Sequence, residues 1–324
     1  MRKGIKILVY SISSVIVVAI VLITYVFTAL PNVDPPKDMQ VQITDSTVAR
    51  GEYLAYHVMM CADCHGSRDF TKFSGPPHPG TEFAGGEVFD QSMGFPGRFV
   101  SANITPFGVS DWTDGELFRL ITEGVTKDGD AIFPVMPYHQ FGQLAGEDVE
   151  AVIAYLRTLE PVETDHPKSK ADFPFNMILR TMPTAAQLVE KPDTADRANY
   201  GKYMFTAAAC ADCHTNFEKG KPVGPLAGGG REFHFPDGST VRATNLTPHE
   251  TGTGHYTREG FINLFKRYVD STYVLPDVKP GEFQTLMPWY MYAGMKENDL
   301  GAIYDYLQTL EPYDNAVERF TPRK

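Results

Sequence analysis

After residue 44 the chain carries the same series of motifs twice, and this internal repeat limits the possible folds more than any other feature. Each copy holds Cys-x-x-Cys-His, then Asn-Ile/Leu-Thr-Pro, then Met-Pro-aromatic, and finally Tyr-Leu-x-Thr-Leu-Glu-Pro. The interval from Cys61 to Met136 is 75 residues, and that from Cys210 to Met287 is 77. A series that returns in the same order and at nearly the same spacing predicts two structural units of similar fold.

The spacing of apolar residues predicts that each unit is helical. One amphipathic helix per copy ends just before a proline, Pro161 or Pro312, and another begins at the capping box of Thr113 and Glu116. A further helix is predicted before each cysteine pair, whereas the Gly- and Pro-rich stretch before Trp112 is typical of a loop. We therefore predict an all-α fold with long loops. The apolar positions of the last helix in the two copies are Val149, Val152, Ile153, Leu156 and Leu159, and Leu300, Ile303, Tyr304, Leu307 and Leu310.

The N-terminus holds an uninterrupted apolar run of 24 residues, from Ile7 to Leu30. At 1.5 Å per residue, a helix of this length would span roughly 36 Å, which is enough to cross a bilayer core. A cleaved secretory signal has a shorter apolar region, usually about 7–15 residues, and ends in an Ala-x-Ala-like site that is not found here. The sequence therefore predicts an uncleaved transmembrane anchor, with Arg2, Lys3 and Lys6 in the cytoplasm and the rest of the chain exported to the periplasm.

The repeat and the apolar run together predict a division of the chain into six parts. The stretch between the two copies is rich in Pro, Lys, Asp and Thr, which is typical of a linker. The predicted parts are an anchor at 1–30, a tether at 31–44, a first domain at 45–161, a linker at 162–195, a second domain at 196–312 and a C-terminal tail at 313–324.

All four cysteines lie in the two Cys-x-x-Cys-His motifs. In this motif two thiols add to the vinyl groups of haem, and the adjacent histidine supplies an imidazole to the iron. A zinc ribbon needs its second cysteine pair about 15–20 residues further on, but here the pairs begin 149 residues apart, at Cys61 and Cys210. A thioredoxin-type dithiol would need a βαβ context, and a structural disulfide would leave both histidines unexplained. The motifs predict two covalently bound haems c, held by Cys61, Cys64, His65, Cys210, Cys213 and His214.

The second axial ligand of each iron is predicted to be a methionine. Met136 and Met287 occupy equivalent places in the two copies, and each is followed by proline and an aromatic residue. The alternative is that both are ordinary core methionines. Other residues could also reach an iron, but none of them recurs at a matching position. These are Met93, His78 and His139 in the first copy, and Met291, Met295, His234, His249 and His255 in the second.

The charge of the chain excludes one class of partner. The sequence has 29 basic and 40 acidic residues, for a formal net charge of −11. Three of the basic residues precede the apolar run, so the predicted exported part is more acidic still. Nucleic-acid binding needs a basic face, and we therefore predict no nucleic-acid partner.

These motifs resemble class I cytochromes c, and among them the cytochrome c subunit of membrane-bound alcohol and gluconate-type dehydrogenases. The similarity covers most of residues 45–312. It implies two tandem class I cytochrome c domains with His/Met haems, in a subunit that passes electrons from a dehydrogenase towards quinone or another carrier. The family member usually has three haem units and a cleaved signal, whereas this chain has two such motifs and a predicted anchor. Besides the repeated motifs, the similarity includes the Trp-Thr pair at 112–113, the segment 133–138, the segment 154–157 and the Phe-Pro-Phe-Asn segment 173–176.

The predicted function is electron transfer without catalysis. Filling both axial positions of each iron leaves no open site for a substrate. The expected partners are a dehydrogenase, a quinol-oxidising complex or a terminal oxidase, and the expected location is the cytoplasmic membrane, with a single span and the haem domains facing the periplasm. The alternative is a di-haem cytochrome c peroxidase, in which one haem must have an open position.

Overall fold

A long apolar helix, α1 (Arg2–Ala29), begins the computed structural model, which describes residues 2–218, 220–269 and 273–323. By length and composition the segment Lys3–Ala29 could cross a membrane, and its most apolar window is not buried against the rest of the protein. The predicted anchor therefore forms one continuous helix whose apolar side chains face outward.

The N-terminal half contains one pair of long helices surrounded by short elements. The helix α2 (Asp45–Tyr53) begins at a Thr44 cap and continues into a π-helical turn, Leu54–Val58, before the first cysteine motif. The other helices are α3 (Cys61–Cys64), α4 (Pro106–Val109), α5 (Asp114–Glu123), α6 (Tyr138–Phe141), α7 (Gly146–Thr158) and α8 (Phe175–Leu179), and the strands are β1 (Val88–Phe89), β2 (Gly97–Val100) and β3 (Lys170–Ala171).

The C-terminal half repeats this arrangement with its own pair of long helices. The helices are α9 (Arg197–Ala207), α10 (Cys210–His214), α11 (Arg258–Lys266), α12 (Trp289–Tyr292) and α13 (Glu297–Leu307). The strands are β4 (Asn216–Glu218), β5 (Lys221–Val223), β6 (Glu232–His234), β7 (Thr240–Arg242) and β8 (Phe320–Thr321). The helices predicted from apolar spacing are thereby confirmed, as is the capping box of Thr113 and Glu116 at the start of α5.

The prediction of an all-α fold is wrong. Helices account for only 39% of the chain, and the described residues also form three antiparallel sheets, β1-β2-β3, β4-β5 and β6-β7-β8. The strands are two to four residues long, too short for an alternating pattern to stand out in the sequence. Two of them pair with distant segments: β3, in the predicted linker, pairs with β2, and β8, in the predicted tail, pairs with β7. Such strands depend on a partner far along the chain rather than on local propensity.

A glycine allows the two long helices of each half to cross closely. A Cβ atom on Gly51 of α2 would lie 1.9 Å from the carbonyl oxygen of Ala151 in α7. A Cβ on Gly201 of α9 would lie at the same distance from the carbonyl oxygen of Ala302 in α13. Contacts this short exclude any side chain, so each glycine permits its helix to pack directly on the backbone of the other.

The two halves meet through equivalent residues that contact one another reciprocally. Tyr203 of α9 donates a hydrogen bond of 2.6 Å to Asp148 of α7, and Tyr53 of α2 donates one of 2.5 Å to Asp299 of α13. Both carboxylates are buried, and Arg50 forms a bidentate ion pair with Asp148. Burial opposes ionisation of Asp148, but Arg50 outweighs it and lowers the pKa of that carboxyl. This reciprocity gives the interface the character of a two-fold contact within one chain.

The end of the predicted tether is docked rather than free. The backbone N–H of Val41 donates to Asp114 at 2.9 Å, and the Val41 side chain is buried. The backbone of Lys37 lies against Gly115, with the Lys37 oxygen 1.8 Å from the position of a Cβ there. Residues 37–41 therefore hold the first half close to the end of α1.

We expect Gly51→Ala and Gly201→Ala each to lower the free energy of unfolding by about 1–3 kcal/mol, because the added methyl group forces the helices apart. Denaturant unfolding followed by circular dichroism measures this change. Gly146→Ala is the matched control, since a Cβ at the start of α7 would meet no atom closer than 3.9 Å. Equal effects at all three positions would contradict the close crossing.

Candidate functional site

The two Cys-x-x-Cys-His motifs adopt the same short helical turn. In each half the turn follows a residue with a left-handed backbone, Met60 with φ 55° and Ala209 with φ 48°. A non-glycine residue in this conformation costs about 1–2 kcal/mol. In both halves this residue changes the direction of the chain at the end of the preceding long helix. The two cysteines and the histidine then follow in the short helical turn.

The cysteine thiols lie in surroundings that keep them protonated. Burial raises the pKa of Cys61, Cys64 and Cys210 to about 12. A reactive dithiol or a thiolate metal ligand needs the opposite shift, because the thiolate is the species that attacks disulfides and binds metal ions. The described residues also contain no group of three or more His, Cys, Asp or Glu side chains that could hold a metal ion. The direction of these pKa shifts gives no support to a reactive dithiol.

Each motif histidine is oriented by a hydrogen bond from its ring to a backbone carbonyl. The Nδ1 atom of His65 lies 2.7 Å from the carbonyl oxygen of Ala102, and Nδ1 of His214 lies 2.7 Å from that of Thr244. Because a carbonyl only accepts, Nδ1 must carry the proton, while burial lowers the pKa of both imidazoles. Each ring is therefore neutral, with a free lone pair on Nε2. This is the usual state of a metal-ligating histidine, so these residues fit a haem iron.

The repeated Asn-Ile/Leu-Thr-Pro motif positions the carbonyls that orient the histidines. Asn103 directly follows Ala102, and its Oδ1 accepts from the backbone N–H of Thr105 at 2.9 Å while its Nδ2 donates to the Val162 oxygen at 2.7 Å. Asn245 makes the equivalent bonds to Thr247 and to the Tyr313 oxygen, at 2.9 and 2.7 Å. The duplication of this motif is visible in the sequence, but its role is not. In the structure it joins the backbone that bonds to each histidine to the chain that follows the last helix.

The two predicted methionine ligands lie in matching surroundings. Met136 and Met287 are half-buried against the main apolar cluster, which Cys61 and Cys210 also contact. Each methionine oxygen accepts a hydrogen bond from the N–H two residues later, at 2.8 and 2.9 Å, so both segments make the same turn. Their assignment to iron stays a prediction.

The structure also defines the surroundings of several other ligand candidates. Met291 and Met295 are buried in the apolar cluster. The rings of His249 and His255 bond within their own loop, to Thr251 and to the Glu250 oxygen.

Each cysteine turn also contacts the methionine segment of the opposite half. Asp63, between the first pair of cysteines, accepts a hydrogen bond from the Tyr290 hydroxyl, which lies three residues after Met287. Asp212, between the second pair, accepts one of 2.8 Å from Gln140, which lies four residues after Met136. The sequence does not reveal this link directly, although the aspartate recurs at the same place in both motifs and is a usable signal.

A further contact joins the second methionine segment to the first half. The Ser74 hydroxyl donates to the backbone oxygen of Met287, and the Ser74 N–H donates to Gln284 at 2.9 Å. Ser74 is fully buried, so this loop of the first half shapes the Met287 turn from outside its own unit.

The second half of the chain is similar to a known protein family. Residues 198–311 match the family model for cytochrome c. The chain is 32% identical over 182 residues to the fructose dehydrogenase cytochrome subunit of Gluconobacter japonicus, in an alignment that covers 52% of this chain and 35% of that protein. It is 24% identical to the alcohol dehydrogenase (quinone) cytochrome c subunit of Gluconobacter oxydans, over 82% of this chain and 55% of that protein.

A third relative is aligned along nearly the whole chain. The gluconate 2-dehydrogenase cytochrome c subunit of Pantoea cypripedii is 27% identical over 94% of this chain and 67% of its own length. The chain spans about a third of the length of the first relative and just over half of the length of the second. The predicted resemblance is confirmed: residues 198–311 match the family model for cytochrome c, and the chain is similar to the cytochrome c subunits of fructose, alcohol and gluconate dehydrogenases.

Proposed function

We propose that this chain is a membrane-anchored di-haem electron-transfer protein that acts on the periplasmic side of the cytoplasmic membrane. The observation that carries the proposal is the duplicated histidine geometry, in which Nδ1 of His65 and of His214 bonds to a backbone carbonyl and leaves Nε2 as the nitrogen with the lone pair, beside a Cys-x-x-Cys turn. Haem c, when bound, supplies a one-electron iron couple. The domain division at 45–161 and 196–312 belongs to the same proposal.

The proposed ligand set would leave no iron site for a substrate. His65 and His214 would bind the iron through Nε2, and Met136 and Met287 would bind it through the thioether. The chain would then shield and tune the redox centres rather than perform catalysis. The peroxidase alternative gains no support from the relatives, which are cytochrome c subunits of dehydrogenases.

The contacts between the halves support a relay within the chain. Tyr290 on Asp63 and Gln140 on Asp212 tie each cysteine turn to the methionine segment of the opposite half. The buried Asp148 and Asp299 bonds add two further links between the long helices. The two attachment sites thus keep a fixed relation, which a relay needs because electron transfer depends steeply on separation.

The partner we propose is a dehydrogenase that delivers electrons to this chain, as the names of its relatives suggest. A quinol-oxidising complex or a terminal oxidase is the proposed alternative partner. The part after the apolar run is strongly acidic, so a transient partner should present a basic face and bind more weakly as salt rises.

Two covalently bound haems are expected per chain. Intact mass and haem staining after denaturing electrophoresis should both show this. The paired variants Cys61→Ala/Cys64→Ala and Cys210→Ala/Cys213→Ala should each keep one haem. A mass gain of only one haem in the wild-type protein, or haem that acid acetone removes, would contradict the proposal.

Replacing either proposed methionine ligand should change one haem and leave the other intact. Met136→Leu and Met287→Leu nearly conserve volume, so they should cost less than about 1.5 kcal/mol of stability. Each should abolish the Met–iron charge-transfer band of its haem and lower its reduction potential, because the thioether favours ferrous iron. Met204→Leu, at a fully buried core position, is the control and should change neither property. Unaltered spectra in both ligand variants would refute the assignment and leave His139 as the next candidate in the first half.

The proposed anchor should survive maturation. Wild-type protein should resist alkaline carbonate extraction, and its N-terminal sequence should begin at Met1 or Arg2. A mature N-terminus beyond Leu30, in protein released by carbonate, would instead identify a cleaved signal and a soluble periplasmic carrier.

A further inference from the structure

An arginine from the segment between the two halves caps the end of the apolar helix. Nε of Arg180 lies 3.2 Å from the Val26 oxygen and 3.0 Å from the Leu30 oxygen, and Nη2 lies 2.6 Å from the Leu30 oxygen. The guanidinium also lies over the Phe27 ring, 5.7 Å from its centroid. The last carbonyls of a helix lack intrahelical partners, and a cation there also matches the helix dipole. These bonds fix Arg180 at the point where α1 ends.

The segment just before Arg180, which includes the short helix α8, has an inner and an outer face. Phe175 and Leu179, four residues apart, face inward: the Phe175 ring lies 5.6 Å from that of Phe133, and Leu179 is buried. Phe173 and Ile178 face outward, with 81% and 48% of their surface exposed. A large aromatic and a branched aliphatic side chain therefore extend into the surroundings beside the end of α1.

The inner face of this segment is firmly held. Phe175 and Leu179 pack with Phe89, Phe99 and Phe133 in a small apolar cluster that is separate from the main core. The strand β3, which leads into the segment, pairs with β2, and the Asp172 N–H donates to the Pro96 oxygen at 2.9 Å. The exposure of Phe173 and Ile178 is therefore not due to a loose loop, since the backbone that carries them is fixed.

We propose that residues 172–180 form a foot that rests in the lipid headgroup region, with Phe173 and Ile178 inserted into the bilayer surface. The inference rests on the proposed anchor. If α1 spans the membrane, its C-terminal end lies at the bilayer boundary, and Arg180 holds the foot at that same level. Aromatic and aliphatic side chains that project at this depth are stabilised by burial in the interface, and arginine can keep its charge in the polar layer.

The foot gives the first half a second point of attachment to the membrane. A single helix followed by an extended segment would let the soluble part tilt and rotate. A second contact several residues wide, joined to the helix end through Arg180, restricts that motion. The foot thus sets which face of the first half points away from the membrane and is open to a partner.

Photocrosslinking in native membranes tests the foot in the full haem-containing chain. The photoreactive residue p-benzoylphenylalanine is placed at position 173, at position 178 and, as a control, at position 274, where Val274 is 80% exposed. After irradiation and purification, the intact mass should show a phospholipid adduct at 173 and 178 and none at 274. Adding Arg180→Gln should reduce the adduct at 173, because the foot is then no longer held at the helix end.

Two results would overturn the proposal. The first is a crosslink from position 173 to a protein, which would make the foot part of a subunit interface. The second is no lipid adduct at 173 or 178 in a chain that still resists carbonate extraction. That result would rule out the foot but not the proposed anchor, whereas release by carbonate would rule out the anchor.

Discussion

The close crossing of two helices in each half is the contact on which the rest of the structure depends. Gly51 and Gly201 allow α2 and α9 to lie directly on the backbones of α7 and α13. Each cysteine turn follows the N-terminal helix of its pair, and each Asn-Ile/Leu-Thr-Pro segment bonds to the chain that leaves the C-terminal helix. The crossing therefore sets the distance between the two segments that must converge on one histidine. Without the crossing, a unit this small would bury little apolar surface, because it has few other long helices.

From this crossing a chain of hydrogen bonds leads to each histidine. The asparagine fixes the local turn, the preceding carbonyl accepts from Nδ1, and Nε2 is left free. The same sequence of bonds exists in the second half at nearly identical distances. A ligand held in one tautomer and one orientation needs little reorganisation when the oxidation state of a metal changes, which suits electron transfer. The orientation of each histidine thus depends on the backbone around it.

The two halves share a bonded interface. Their interface is made from paired equivalents, Tyr53 with Asp299 and Tyr203 with Asp148, and from the cysteine turns that contact the opposite methionine segments. Buried carboxylates are costly unless they are fully bonded, so each aspartate favours one docked arrangement over others. The segment that would otherwise be a free linker adds strand β3 and helix α8 to the first half. Removing either half would therefore expose buried polar groups in the other.

The sequence alone was enough to predict haem attachment, because that prediction depends on local motifs. A thiol pair and a histidine within five residues need no tertiary information to indicate haem attachment, and the 3.6-residue period of Val149–Leu159 indicates a helix by itself. The tertiary structure alone decided the sheets, because strands such as Lys170–Ala171 are stabilised by partners about 70 residues away. It also decided the contacts between the halves: the sequence shows that Asp63 and Asp212 recur, but only the folded chain places Tyr290 and Gln140 beside them. The tertiary structure also decided the outward position of Phe173, since Phe175, two residues later, has the same side chain and packs in an apolar cluster. Whether either ring meets solvent or core depends on packing that no local pattern records.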